Sequence, residues 1–248
     1  MLTAWDINAR KRHSQILEGK DISFSEVLIP KLLEQIENIP DRAMFSVLDV
    51  GCGTAVLTRV ISVHFRHVVG IDPSQESIRI AREYVGKSAN VIIECATISE
   101  FAKTNRSPFD LSVANMTLQA IELLPPALAS ISNVLKPGGA FIFSVPHPCF
   151  WANHRSEIVS SGYRYYAPAS YEIPFTISND PEPLPSPIPY YHRSLEAYST
   201  ELYDAGFTIE KIYEPFPDSQ LMAKYPTQWQ YPRFIIFNCR KRLTTEVK

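Results

Sequence analysis

Between residues 46 and 145 the chain alternates short, dense apolar runs with longer segments of mixed polarity. Runs near 46–50, 67–71, 91–94, 109–114 and 140–145 have the length and β-branched content of strands. The stretches between them, near 55–64, 75–86, 98–103 and 119–134, read as helices. Alternation on this period predicts a parallel, doubly wound sheet. A strand covered on both faces needs apolar residues at consecutive positions, which Val47, Leu48 and Val50 supply. Such sheets bind ligands beyond the carboxyl ends of their strands, where Asp49, Asp72, Cys95 and Asn115 all fall.

Residues 4–38 read as helical. Trp5 precedes a polar stretch, Asn8-Ala-Arg-Lys-Arg-His13, and apolar spacing follows from Phe24 to Ile36, with Pro30 at a helix start or kink. Composition changes at residue 146. Residues 146–192 hold many of the chain's 20 prolines and a dense set of aromatics, among them Phe150, Trp151, Tyr163, Tyr166, Tyr190 and Tyr191. The run Pro181-Glu-Pro-Leu-Pro-Ser-Pro-Ile-Pro189 excludes a helix or a central strand, while the aromatic content argues against disorder of the whole segment. An inserted lid, with room for a short β-hairpin, is expected there. Ser194 to Ala205 reads as a helix closed by Gly206, and Thr208–Tyr213 with Arg233–Asn238 as an antiparallel final pair. The expected organisation is a helical cap over 1–40, a core over 41–145, a lid over 146–192 and a closing helix with strands over 193–248.

The segment Val47-Leu-Asp-Val-Gly-Cys-Gly-Thr-Ala-Val-Leu-Thr58 combines a buried strand, a glycine turn and a helix start. Gly51 and Gly53 let the backbone turn sharply and approach a ligand without Cβ interference. The next strand ends at Asp72, about twenty residues on, where a ribose-binding acid stands in a nucleotide-binding βαβ unit. A dinucleotide fingerprint would place a third glycine at position 56, which is Val56, and a pyrophosphate would be repelled by Asp49. Asp49 suits a ligand carrying positive charge. Farther on, Ser107-Pro-Phe-Asp110 enters the fourth strand, and Asn133-Val-Leu-Lys-Pro-Gly-Gly139 turns into the fifth.

These four signals, in register over residues 47–145, resemble the class I S-adenosylmethionine-dependent methyltransferases, in the small-molecule branch of ubiquinone/menaquinone-type and natural-product enzymes. The resemblance implies a Rossmann-like, doubly wound α/β sheet of seven strands, mostly parallel with an antiparallel final strand. It also implies S-adenosylmethionine as co-substrate and no metal. Gly51 and Gly53 would pass under its amino-acid part beside Asp49, Asp72 would hold the ribose hydroxyls, and Asn115 would stand at the end of the fourth strand. In related enzymes N-terminal helices close over the cofactor; a helical cap on the core is the other reading of residues 4–38. Two positions depart from the pattern. Ala55 stands where many relatives have a further glycine, and Cys95 where the family often has an aspartate for the adenine amine, leaving that contact to Cys95 and Ala96.

Methyl transfer from a sulfonium is an in-line displacement with a good leaving group, so alignment and exclusion of water dominate. An amine acceptor needs only to be neutral, whereas a hydroxyl or acidic carbon needs a base, for which histidine is the usual choice. His147, just past the fifth strand, and His192, at the end of the lid, are the candidates; a structural hydrogen bond is the alternative for each. Trp151, Tyr166 and Tyr191 are candidate walls for a flat or apolar acceptor, and Arg193 a candidate partner for an acceptor carboxylate.

A formal net charge of −2 argues against a broad nucleic-acid face. No apolar run approaches the ~18 residues of a membrane helix, and the N-terminus lacks a signal-peptide layout. The four cysteines are dispersed without metal spacing, which fits free thiols in a reducing cytoplasm. An RNA or protein methyltransferase, or a non-catalytic S-adenosylmethionine-binding module, are the competing readings; a nicotinamide oxidoreductase is disfavoured by Asp49 and Val56. Oligomeric state is not legible.

Overall fold

The computed structural model describes residues 3–155, 162–177 and 179–243. Parts of the expected lid (156–161 and 178) and of the termini (1–2 and 244–248) lie outside the described residues. Seven strands share one sheet: β1 (Ser46–Val50), β2 (His67–Asp72), β3 (Val91–Cys95), β4 (Phe109–Asn115), β5 (Leu135–Pro146), β8 (Phe207–Tyr213) and β9 (Phe234–Lys241). Their order is β3-β2-β1-β4-β5-β9-β8. β9 runs antiparallel to both of its neighbours, β5 and β8, and the pairs among β1 to β5 are parallel. The order reverses between β1 and β4, which opens a crevice at their carboxyl ends.

Alternation along each strand assigns the two faces. Leu48, Val50, Phe141 and Phe143 pack with Leu128 and Ile131 of α6 (Leu124–Val134) and Leu202 of α7 (Leu195–Asp204). Val47, Leu111 and Ile142 pack on the other face with Leu57 and Ile61 of α3 (Val56–Ser62) and Leu32 and Ile36 of α2 (Ile29–Glu37). α4 (Gln75–Val85) and α5 (Ile98–Thr104) complete the layers. Asp49 shares the α3 side with Val47, so its carboxylate meets α3 at Thr58.

Two local expectations shift, and Pro30 falls at a helix start as expected. The helix expected from residue 119 begins at Leu124, after a 3-10 turn at Leu118–Ala120, because Pro125 and Pro126 occupy its first turn, where their missing N–H groups cost nothing. The turn at Pro137-Gly138-Gly139 is a bulge inside a longer β5: Phe109 pairs with Leu135 and Leu111 with Ala140, leaving Asp110 opposite four residues. Pro30 stands in the first turn of α2, which continues directly from a π-helical turn at Ser23–Leu28. Within the insert, β6 (Ala169–Ile173) pairs with β7 (Ile188–His192) as a separate antiparallel hairpin.

α1 (Ala4–Leu17) carries almost no apolar face, yet Asn8, Ala9 and Gln15 are buried. Polar contacts hold it on two sides. Toward the core, Asp6 accepts from Ser74 Oγ and the Glu76 N–H, Arg10 pairs with Glu76, and His13 Nδ1 lies 2.9 Å from Thr54 Oγ1. Toward the insert, Asn8 exchanges two hydrogen bonds with the Ser186 backbone, Lys11 pairs with Glu182, and Gln15 donates to Asp180.

Candidate active site

A cavity of about 1010 Å³ lies at the carboxyl ends of the central strands, with α1 and the hairpin of the insert forming its other walls. That is the upper end of the roughly 300–1,000 Å³ range of ligand pockets. Its floor is the turn after β1. Gly51 has φ +72°, and a Cβ there would stand 2.3 Å from Thr117 Cγ2, so only glycine lets the loops after β1 and β4 approach this closely. Gly53, at φ +54°, would place a Cβ with no atom within 4 Å, leaving its surface open to a ligand. Ala55 ends the turn in the same left-handed region, φ 63°, where glycine would be free of strain.

Two acids stand at this edge. Asp49 is 1% exposed and accepts one hydrogen bond, from Thr58 Oγ1 at 2.6 Å. Burial, with the Asp72 charge adding to it and Thr58 opposing, pushes its carboxyl up to about 7. Asp72 is also raised by burial, against two backbone donors: Gly53 N–H to Oδ2 at 3.0 Å and Ser74 N–H to Oδ1 at 2.8 Å. One donor on each carboxylate oxygen leaves lone pairs for further hydroxyl groups. At the end of β4, Asn115 Oδ1 accepts from Ser144 Oγ at 2.7 Å, and Met116 takes a left-handed φ of 53°. A cationic ligand would lower the cost of burying Asp49 as an anion. The edge therefore fits a ligand with positive charge and hydroxyls.

Of the sequence-expected residues, Asp49, Gly51, Gly53, Asp72, Ala96, Asn115 and Trp151 line this one cavity. The others stand outside its lining. Cys95 is exposed, its thiol 3.7 Å from the Pro73 carbonyl, while its neighbour Ala96 faces inward. His147 is buried, with Nε2 2.7 Å from Glu214 Oε1 and Nδ1 accepting the Cys149 N–H, so both ring nitrogens are committed. His192 is buried beneath Tyr163, gives Nε2–H to the Tyr165 carbonyl, and is held below its ordinary pKa by burial. Tyr166 is 72% exposed. The two-residue repeat of β7 sends Tyr190 to the cavity and Tyr191 to the opposite face. Arg193 is consumed by carbonyls, at 2.6 Å from Ile121, 2.8 Å from Glu122 and 3.3 Å from both Leu118 and Tyr191.

Sequence reasoning missed part of the wall. Trp5, Ala9, Arg12 and Ile16 form one stripe of α1 at spacings of three and four, a legible helix face once its ligand side is known. His154, Phe175 and Arg233 also line the cavity and carry no local signal. Tyr190 stacks on Trp151 with ring centres 3.7 Å apart, forming an aromatic panel of the insert. Among the described residues, no group of three or more His, Cys, Asp or Glu side chains could hold a metal ion, and no helix is long and apolar enough to cross a membrane.

Comparison with known proteins points the same way. A family profile described as a methyltransferase domain matches residues 47–139. An uncharacterized methyltransferase of Schizosaccharomyces pombe is 28% identical over 216 residues, 85% of this chain and 77% of that protein. A ubiquinone biosynthesis O-methyltransferase of Aromatoleum aromaticum is 28% identical over 116 residues, covering 46% of this chain and only half of that enzyme. The crystal structure of an S-adenosylmethionine dependent methyltransferase from Mesorhizobium loti shares the fold, with a TM-score of 0.63 at 22% identity over 85% of this chain and 96% of that one. The sheet order, the acidic glycine turn at its switch point and the matched profile agree: over residues 47–139 the chain carries a methyltransferase domain, built on the fold of the S-adenosylmethionine-dependent methyltransferases.

Proposed function

We propose that this chain methylates a small organic molecule held between the glycine turn and the aromatic panel of the insert, with S-adenosylmethionine as donor. The observation that carries the reading is a single cavity in which an acidic sheet edge faces Trp5, Trp151 and Tyr190. Asp72 would hold the ribose hydroxyls, Gly51 and Gly53 would carry the backbone under the amino-acid part, Asp49 would balance its positive charge, and Ala96 would border the adenine. Bound there, the cofactor supplies a methyl group on a sulfonium, a leaving group that needs no protonation. The protein's part is alignment and exclusion of water, which α1 and the insert perform by covering the strand ends. His147 and His192 have no atom in the cavity lining, which argues against either as the base; His154 is the histidine that lines it.

The aromatic, enclosed cavity and a net charge of −2 support a small molecule over a nucleic acid, and its size supports an enzyme over a filled, non-catalytic module. The name of the Aromatoleum relative supports the same acceptor class. Four free thiols suit the cytoplasm. Calorimetric titration with S-adenosylhomocysteine tests the cofactor assignment. Micromolar binding that weakens by roughly tenfold or more in Asp72→Ala is expected, from loss of charge-assisted hydrogen bonds. Unchanged affinity in that variant would contradict the ribose assignment.

A further inference from the structure

The cavity carries opposite charges on opposite walls. Asp49 and Asp72 stand at the sheet edge, whereas Arg12, Arg233 and His154 come from α1, the approach to β9 and the insert. Arg12 pairs through Nη2 with Asp21 at 2.5 Å and lies 5.1 Å from the centre of the Phe175 ring. Its Nη1 is buried without a hydrogen-bond partner. Arg233 forms no ion pair with any carboxylate among the described residues. Its guanidinium lies 4.5 Å from the Trp229 ring centre and 5.4 Å from that of Tyr225, and its Nε is buried without a partner. The carbonyl of Thr227 accepts from its Nη2 only at 3.5 Å. His154 Nε2 is a third buried nitrogen without a partner.

Buried donors are nearly always satisfied, and an unmet one costs about 1–3 kcal/mol, more when charged. Arg233 is thus a cavity-lining cation with no carboxylate partner among the described residues, and Arg12 is only partly engaged by Asp21. The Arg233 side chain is held below its ordinary pKa by burial, with the Arg155 charge adding to this, and His154 is brought down to about 4 by burial and by Arg233 and Arg155. Positive potential thus accumulates on this wall. Asp21, the one carboxylate lining it, is already engaged by Arg12 and by the Phe24 N–H.

We infer that the acceptor is an organic carboxylate whose anionic group is held at the wall that the Arg233 and Arg12 guanidinium groups line, with its apolar part against Trp151 and Tyr190. The carboxylate is the handle by which the molecule is bound. Planar guanidinium nitrogens flanked by aromatic rings suit a planar, singly charged oxyanion. A phosphate, with up to two charges and three oxygens, is usually met by clustered backbone N–H groups at a glycine turn or helix start, and in this cavity the glycine turn is bordered by Asp49 and Asp72 instead. The inference rests on the methyl-transfer reading only in calling the bound acid an acceptor.

The test is calorimetry on the full chain, with and without saturating S-adenosylhomocysteine, using matched acids and primary amides (benzoate, cinnamate, indole-3-acetate and their amides) together with phenyl phosphate. At least one acid should bind about 10- to 100-fold more tightly than its amide, the range for hydrogen bonds to a charged group. Arg233→Gln should remove that preference while S-adenosylhomocysteine affinity stays within about twofold, which also reports that the variant is folded. Arg233→Lys, which keeps the charge but loses the planar fork, should restore it only in part. Amides binding as well as acids, phenyl phosphate binding in preference to every acid, or an acid preference untouched in both Arg233 variants would each overturn the inference. Acid binding by a protein that takes no S-adenosylhomocysteine would sustain the carboxylate site and sink the cofactor assignment.

Discussion

Asp49 concentrates the chemistry of the glycine turn in one side chain. It is buried beside Asp72, with a single neutral donor, so its proton is held up to about pH 7 in the folded protein. In the unfolded chain the same group titrates near the ordinary aspartate value of 3.8. The folded state therefore keeps a proton that the unfolded state has lost, and this group's contribution to stability falls as pH rises from about 4 to 7. The loss is on the order of 4 kcal/mol, since each pH unit across that window costs about 1.36 kcal/mol. In urea unfolding without cofactor, Asp49→Asn should gain stability relative to the parent chain between pH 5 and pH 8. A positively charged ligand would restore the carboxylate, so S-adenosylmethionine binding near pH 6 should release up to one proton, visible as a dependence of binding heat on buffer, and the Asn variant should not. Equal proton release in both proteins would remove Asp49 from the cofactor site. Asp49, Gly51, Gly53 and Asp72 were legible because their spacing follows from one strand and one turn. His147 and His192 were misleading for the converse reason, since proximity in sequence to a strand end says nothing about which way a ring points.

At the level of elements, α1 is a helix that hydrophobic patterning does not place. Its capping box, Thr3 with Asp6, defines its start, and the hydrogen bonds to Asp6 outweigh its burial to hold that carboxyl down to about 2. Its tertiary position comes instead from polar side chains used one by one, toward the core at Asp6, Arg10 and His13 and toward the insert at Asn8, Lys11 and Gln15. Asn8 is the critical member, fully buried and satisfying both the N–H and the carbonyl of Ser186. Asn8→Ala leaves two backbone groups unpaired and should cost about 2–3 kcal/mol in urea unfolding, with faster proteolysis around Ser186. Native stability and an unchanged cleavage rate would show that the insert is held by something other than this pair.

For the whole molecule, the question is how an insert stays registered on a sheet with which it shares no strand. The hairpin β6–β7 forms its own sheet, and its junction to the core is Arg193, which follows β7 directly. Its guanidinium gathers the carbonyls of Leu118, Ile121 and Glu122, all from the loop after β4 that also closes on Gly51 through Thr117. The aromatic panel and the glycine turn are thereby positioned from one loop. Replacing Arg193 by Gln should destabilise the protein by about 3 kcal/mol, within the range for breaking a buried charged network, and Arg193→Lys should recover little of it, having no planar fork to span the carbonyls. Full recovery by lysine, measured by denaturant midpoint, would reduce Arg193 to a point charge.

The alternation of apolar runs determined the sheet, because burial on two faces is written into consecutive residues, and the glycine spacing determined the turn at its switch point, because that turn is local. Pro125 and Pro126 are local signals of the same kind, and they set the start of α6 at Leu124 where the expected helix ran from 119. Tertiary structure alone decided the opposite wall of the cavity. Trp5 and Arg12 lie on one helix, His154 and Tyr190 in the insert and Arg233 before the last sheet strand, and their meeting in one cavity depends on how α1, the hairpin and β9 pack. Contacts between residues more than two hundred positions apart leave no period in the chain to read. That is why the strand-end acids and the glycine turn could be read together from sequence, and the opposite wall of the cavity only in three dimensions.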